Sequence, residues 1–140
     1  MIVLDTNVVS ELMRPAPEPA VLTWLNAQAT QELWLNSVVV SELLYGVARL
    51  SQGARKLQLA QAVSAMLEED FNGRVLPFDL ESAVIYAELV ATQERQGHAL
   101  PAADAQIAAI CLAHGAVLAT RNVKHFAGLG LSLLNPWAAV

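Results

Sequence analysis

One cysteine, Cys111, is all the thiol chemistry that 140 residues contain. No internal disulfide can form, which excludes an exported disulfide scaffold. A lone Cys on a helical pattern reads as a small core residue. Charge is scarce as well. Charged residues make up 15% of the chain, against about 25% in a typical domain. Cations are scarcer still: 8 Lys and Arg face 13 Asp and Glu, for a net charge of -5. That balance argues against broad, tight, nonspecific duplex binding, which Lys and Arg drive. It does not veto nucleic acid, because a divalent ion held by clustered acids inverts the local sign. Long apolar runs are missing too. Hydrophobic residues reach 55%, yet no stretch approaches the ~18 apolar residues of a membrane span. The excess is expected as a core plus an apolar association surface, although an Ala-rich helical interior would explain it equally. Met1 to Asp5 offers neither a basic segment nor a long apolar one, so no signal peptide is expected and the location read is cytoplasmic. The three histidines, His98, His114 and His125, are scattered and with one Cys form no zinc motif.

What is present is a regular alternation. The length is that of one domain, 1–140, long enough to bury a core unaided. Ile2 to Leu4 is a short apolar run ending at Asp5, as in a strand buried on both faces of a parallel sheet. Thr6 to Met13 reads as a helix. Arg14 to Pro19 carries three prolines and reads as a loop, and Ala20 to Ala29 as a second helix. Leu33 to Leu35 is a second strand. Ser37 is a candidate N-cap for a helix over Val38 to about Leu50, although Val38-Val39-Val40 would suit a strand equally. Gly53 separates that helix from a long one over Ala54 to Phe71, ended by Gly73. Val75 to Phe78 is a third strand. Asp79 caps a helix over Leu80 to Gln96, with Gly97 at its end. Pro101, in a first-turn position, opens a helix to about His114, and Gly115 ends it. Val117 to Thr120 is a fourth strand and Leu131 to Leu134 a possible fifth. Short apolar strands alternating with helices indicate an α/β fold with a mainly parallel sheet flanked by helices. In such sheets the functional crevice lies at the carboxyl ends of the strands. This places Asp5, Asn36, Ser37 and Thr120 to Asn122 on one edge.

Three acids stand out against this pattern. Asp5 ends a buried strand, a position that also suits a plain helix cap. Glu42 is flanked by Val39, Val40, Leu43 and Leu44, so it lies at the edge of an apolar face or points into a cleft; alone it would pass for a solvent-facing Glu. Asp104 is the only acid on a helix that is apolar nearly all round, with no Lys or Arg on that helix to pair with it. An acid in a first helical turn is favoured by the dipole in any case. Together the three sit on separate elements opening onto one edge. Clustered carboxylates raise one another's pKa, and a divalent cation relieves this. Oxygen ligands favour Mg²⁺ or Mn²⁺. The chemistry that follows is phosphodiester hydrolysis by a metal-activated water. Asp5 and Asp104 would hold the metal. Glu42 would hold a second ion or orient the water, and Thr120 and Asn122 would position a water or a phosphate oxygen. Thr6 and Asn7 are further positioning or capping candidates.

These residues, in this order, resemble the PIN-domain family, and within it the VapC/FitB type of bacterial toxin. The matching pieces are Ile2-Val-Leu-Asp5-Thr-Asn-Val-Val-Ser-Glu11 and Val40-Ser-Glu42-Leu-Leu-Tyr-Gly46. Pro101-Ala-Ala-Asp104-Ala-Gln-Ile-Ala-Ala109, Leu118-Ala-Thr120-Arg-Asn122-Val-Lys-His-Phe126 and Leu134-Asn-Pro-Trp137 follow. The resemblance implies a PIN-like three-layer sandwich and Mg²⁺- or Mn²⁺-dependent endoribonuclease activity on RNA. It also implies a homodimer and a cognate antitoxin, in a larger assembly that binds operator DNA through the antitoxin. Many relatives carry an acid where this chain has Asn122, so the site here would have three charges rather than four, which puts a strict two-metal mechanism in doubt. Two rivals stand beside this reading. One is a dimeric binding module with a degenerate metal site. The other is a haloacid-dehalogenase-like phosphatase with Asp5 as nucleophile, which would need an acid where Asn7 stands.

Overall fold

The computed structural model describes residues 1–138. In chain order its regular elements begin with β1 (Ile2–Leu4), α1 (Thr6–Leu12), α2 (Pro19–Asn26) and β2 (Leu33–Asn36). Then come α3 (Ser37–Ala48), α4 (Ala54–Ala65), β3 (Val75–Leu76) and α5 (Leu80–Arg95). The series ends with α6 (Ala102–His114), β4 (Val117–Ala119), α7 (Val123–Phe126) and β5 (Ser132–Leu134). The five strands form one sheet in the order β3-β2-β1-β4-β5. Every pairing is parallel, with Ile2 opposite both Leu33 and Val117. The expected α/β sandwich is therefore present, and its sheet is wholly parallel. Among the described residues no helix is long and apolar enough to cross a membrane.

Strand order explains where a site can form. From β1 the chain steps one way, to β2 and then β3. It then crosses back over the sheet to β4 and β5. Right-handed crossovers put α1 to α4 on one face and α5 and α6 on the other. The direction reverses between β1 and β4, so a crevice opens outside the carboxyl ends of those two strands. Val3, Leu4, Leu118 and Ala119, just below that crevice, are wholly buried. They pack with Val8, Val39, Ile107 and Ile110 in one core. Burying each such Val, Leu or Ile stabilises by roughly 1.5–3 kcal/mol, so the strand ends form a rigid floor.

Several local expectations shift. The cap of α3 is Asn36, whose Oδ1 accepts from the Val39 N–H at 2.9 Å. Ser37 is instead the first helical residue, and its Oγ accepts from the Phe78 N–H at 3.2 Å. Val38 to Val40 are helical, because tertiary burial overrides β-branched preference. Pro19 is the first residue of α2, whereas Pro101 is the cap of α6 and not a first-turn residue. Its carbonyl accepts from the Ala105 N–H at 3.0 Å to start the helix. The long helix after Gly53 widens into a π-helical turn over Met66–Asp70. This brings Phe71 into the core. The third strand stops at Leu76, short of Phe78. Asp79 does cap α5, accepting from the Ser82 N–H at 3.0 Å. That bond holds its carboxyl below the ordinary range. Gly115, at φ 60°, ends α6 in the left-handed region that favours glycine.

Candidate active site

Asp5 leaves β1 directly above the floor. Its N–H donates to the Ala119 carbonyl at 2.9 Å, so the first residue beyond β1 is tied to β4. Its carboxylate is 6% exposed and meets three donors. The Thr6 N–H reaches Oδ1 at 2.8 Å, while the Thr120 hydroxyl at 2.8 Å and the Asn7 amide at 3.3 Å reach Oδ2. Asp5 is thus the cap of α1, as the plain reading allowed, and also the hub of a buried network. Two carboxylate oxygens offer about four acceptor positions, so roughly one is left for something else.

Thr120 is the other half of that hub. It is fully buried, and its hydroxyl oxygen also accepts from the Asn122 N–H at 3.0 Å and the Asn7 amide at 3.3 Å. Asn7 closes the loop by accepting from the Arg121 N–H at 3.1 Å. Asn7 therefore works as a rigid amide bridge between β1 and β4, not as a reacting group. Thr6 turns the other way, its hydroxyl donating to Glu42 at 2.7 Å. That bond brings Glu42, on the second turn of α3, to the crevice, where it stands exposed.

Asp104 comes from the first turn of α6. Burial pushes its carboxyl above the ordinary range, the Asp5 charge pushes the same way, His125 opposes, and Glu42 adds to the rise. The three acids are therefore close enough for their charges to be felt. The one basic side chain within ion-pair distance of Asp104 among the described residues comes from α7: His125 Nδ1 lies 3.8 Å from its carboxylate. Among the described residues no Lys or Arg pairs with Asp5, Glu42 or Asp104. Nor do three His, Cys, Asp or Glu side chains stand near enough to enclose an ion as placed. The donor set, three carboxylates, suits a hard divalent cation in chemistry. Closing on one would need movement of exposed Glu42 or half-buried Asp104 toward the fixed Asp5.

Asn122 reaches the same edge, but only its backbone joins the network. Its side chain is exposed and makes no hydrogen bond among the described residues. Cys111, although on α6, is buried with its thiol pushed up to about 12 by burial, which makes it inert.

Sequence reasoning assigned no role to Glu11. It is 6% exposed on α1. Its carboxylate accepts from Arg14 at 3.1 and 3.2 Å and from the Glu18 N–H at 2.9 Å. The Glu18 bond holds its carboxyl below the ordinary range against the opposing effect of burial, and Arg14 adds to the lowering. The signal was an acid and a base three apart, flanking the proline loop. Also unread was Arg121 lying over the Trp137 ring, 4.9 Å from its centroid.

The model of the family described as PIN domain matches residues 2–129. VapC ribonuclease Y4jK of Sinorhizobium fredii is 42% identical over 98% of each chain. Toxin FitB of Neisseria gonorrhoeae is 38% identical over 98% of this chain and 99% of its own. The structure of FitAB bound to an IR36 DNA fragment superposes with a TM-score of 0.92 at 36% identity, over 100% of this chain and 98% of that one.

Proposed function

The chain belongs to the PIN-domain family, and from that premise we propose that it is a metal-dependent endoribonuclease serving as the toxin of a toxin–antitoxin pair. One observation supports this: Asp5 ends β1 at the crevice where strand order reverses, Glu42 of α3 is hydrogen-bonded to Thr6 beside it, and Asp104 opens α6 within reach of the Asp5 charge, with no Lys or Arg paired to any of them among the described residues. Asp5 and Asp104 would hold Mg²⁺ or Mn²⁺, which supplies charge neutralisation at the phosphate and a more acidic water.

The residues then divide the work. Asp5, immobilised by Thr120, Asn7 and the start of α1, fixes where the scissile phosphate must lie. Glu42, tethered only by Thr6, accepts the proton of the attacking water. The water oxygen bonds to phosphorus as the bond to the 3′ oxygen breaks, and that oxygen takes a proton from solvent. The products carry a 5′-phosphate and a 3′-hydroxyl. The phosphatase alternative loses support, because Asn7 donates to Asp5 and no acid stands in its place.

Partner proteins follow from the relatives. A cognate antitoxin, through which the assembly binds operator DNA, would pair with this chain, which resembles a chain of FitAB bound to an IR36 DNA fragment. Exposed Leu80 (82%) and Val84 (60%) lie one turn apart on α5, and Tyr45 (66%) is exposed on α3. Such surface supports a homodimer, and a monomer mass in sedimentation would contradict it.

The test is cleavage of a structured RNA pool by purified protein with Mg²⁺ or Mn²⁺, with EDTA, and by Asp5→Asn. Defined cuts that need metal and vanish in the variant are expected, with cleavage falling below detection. Asn keeps the oxygen that caps α1 but turns an NH2 toward Thr120 and Asn7, so a melting curve accompanies the assay and checks that the variant is folded. The unpartnered amide of Asn122 favours one second reading, the degenerate binding module. Folded, antitoxin-free protein that cuts nothing under any metal condition would move the assignment there.

A further inference from the structure

Glu11 is a buried carboxylate that the proposed reaction does not use, and its surroundings suggest a purpose. Thr6, Ser10 and Arg14 recur at four-residue spacing down one side of α1 and the turn after it. That side forms one wall of a groove of about 850 Å³. Glu42 and Gly46 of α3 form a second wall, and Arg55 and Gln58 of α4 a third. One continuous groove thus brings together Glu42 of the acidic site, Arg14 and Arg55, beside apolar residues that include Leu43, Val47 and Leu59. Arg14 follows the end of α1, roughly two turns beyond Thr6, so it lies along the groove from the Thr6–Glu42 pair.

The cations are not interchangeable. Lys56 donates to the Ala48 carbonyl at 3.1 Å and Arg95 to Thr92 at 3.3 Å. Arg74 donates to Leu33 at 3.0 Å and also to Asp70, and Arg121 lies on Trp137. The side chains of Arg49, Arg55 and Lys124 make no hydrogen bond or ion pair among the described residues, and of these Arg55 lines the groove. Arg14 is held differently. Only its Nη1 touches Glu11, and the side chain remains 65% exposed while Glu11 is 6% exposed. A buried acid thus grips one corner of the guanidinium and leaves the rest open to the groove.

We propose that this groove is the track of the RNA strand beside the scissile bond, with Arg14 and Arg55 as phosphate contacts and Glu11 as the positioning residue that sets Arg14. The inference rests on the nuclease reading and adds the residues that grip the substrate. In a chain of net charge -5, one held and one free cation next to an acidic site localise an attraction that the whole surface does not supply.

The test uses Asp5→Asn protein, which holds RNA without cutting it, and a fluorescein-labelled oligouridine read by anisotropy over a salt series. The backbone term is independent of sequence, so the natural target is not needed. Each lost single-strand phosphate contact lowers the slope of log affinity against log salt by about 0.7. Arg14→Gln and Arg55→Gln are each expected to show that drop and bind several-fold more weakly; the double variant should lose about 1.4. Arg95→Gln, on the far end of α5, should change nothing. Glu11→Gln removes a negative charge, so plain electrostatics expects tighter binding; a positioning role expects weaker binding. Melting curves identify any variant that fails to fold, and Arg55→Gln, on exposed helix, carries the test if Arg14→Gln does. Unchanged slopes in folded Arg55→Gln and double variants overturn the proposal. If the unsubstituted protein still cuts RNA, the nuclease reading survives that failure; if it neither cuts nor binds RNA, both fall. Unchanged slopes with loss of the co-expressed antitoxin would reassign the groove to the partner protein.

Discussion

Asp5 lies 6% exposed with three donors on its carboxylate, whereas Glu42 stands exposed on α3 with one bond, from Thr6. Both carry the same charge and open onto the same crevice. The difference separates two tasks. A buried carboxylate needs its hydrogen bonds to exist at all, and those bonds also fix its position to within a rotamer. An exposed carboxylate needs none, so it keeps the freedom to approach a substrate or an ion. Asp104 falls between them: half-buried, burdened by burial and by the Asp5 charge, and eased by one imidazole. The site is thus graded from fixed to mobile, from β1 through α6 to α3.

Substitutions can break or sharpen this gradient. Glu42→Gln should produce the largest split between activity and stability. Loss of the base should slow cleavage by about 10²-fold, while an exposed change leaves stability within about 0.5 kcal/mol. Parallel rate and melting measurements check this, and a large fall in Tm would place Glu42 among the structural residues. Thr120→Val attacks the fixed side. It removes one donor from Asp5, one of the two acceptors of the Asn7 amide and the acceptor of the Asn122 N–H, so stability should fall by about 1–3 kcal/mol. Cleavage should drop by about tenfold through the displaced carboxylate. Urea denaturation reads the first effect, and an unchanged midpoint would show the network to be slack.

Asp104→Asn should give the smallest shift, and of opposite sign. With its carboxyl raised above 3.8 in the fold, the ionised form disfavours folding. The contribution to stability is complete below the unfolded value and is lost as pH rises through the folded one. In EDTA at neutral pH the variant should therefore melt a few degrees above the parent. The gap should close in acid, below about pH 3.8. A variant less stable than its parent at neutral pH would mean that His125 already compensates the charge. The pattern expected, less activity with more stability, is that of a site held under electrostatic strain.

Much of this was legible before any coordinates. The apolar run ending at Asp5 and the lone acid on an Ala-rich helix follow from periodicity alone, and alternating strands and helices put their ends on one edge. Glu42 was weak on its own, since nothing local distinguishes it from a solvated residue; its bond to Thr6 spans the sequence from α1 to α3. The contacts that build the Asp5 network are longer still, joining residues 5 and 120 and residues 7 and 121. No window of sequence contains them. The cap of α3 slipped by one residue because Asn36 and Ser37 are both good caps, and only the end of β2 decides between them. Glu11 was hidden for a similar reason: an acid beside an Arg reads as surface until the proline loop folds over it. The short α7, which delivers His125 to Asp104, has too few residues for a period to show.

The central claim is that these acids are arranged to be completed by a divalent cation. Thermal melts of the unsubstituted protein and of Asp104→Asn, each titrated with Mn²⁺ after EDTA treatment, test it most directly. The account predicts a saturable rise in Tm for the unsubstituted protein, worth about 2.7 kcal/mol at a hundredfold excess over Kd. Asp104→Asn should lose most of that rise and so reverse its advantage in EDTA. Equal responses in the two proteins, or none in either, would contradict it.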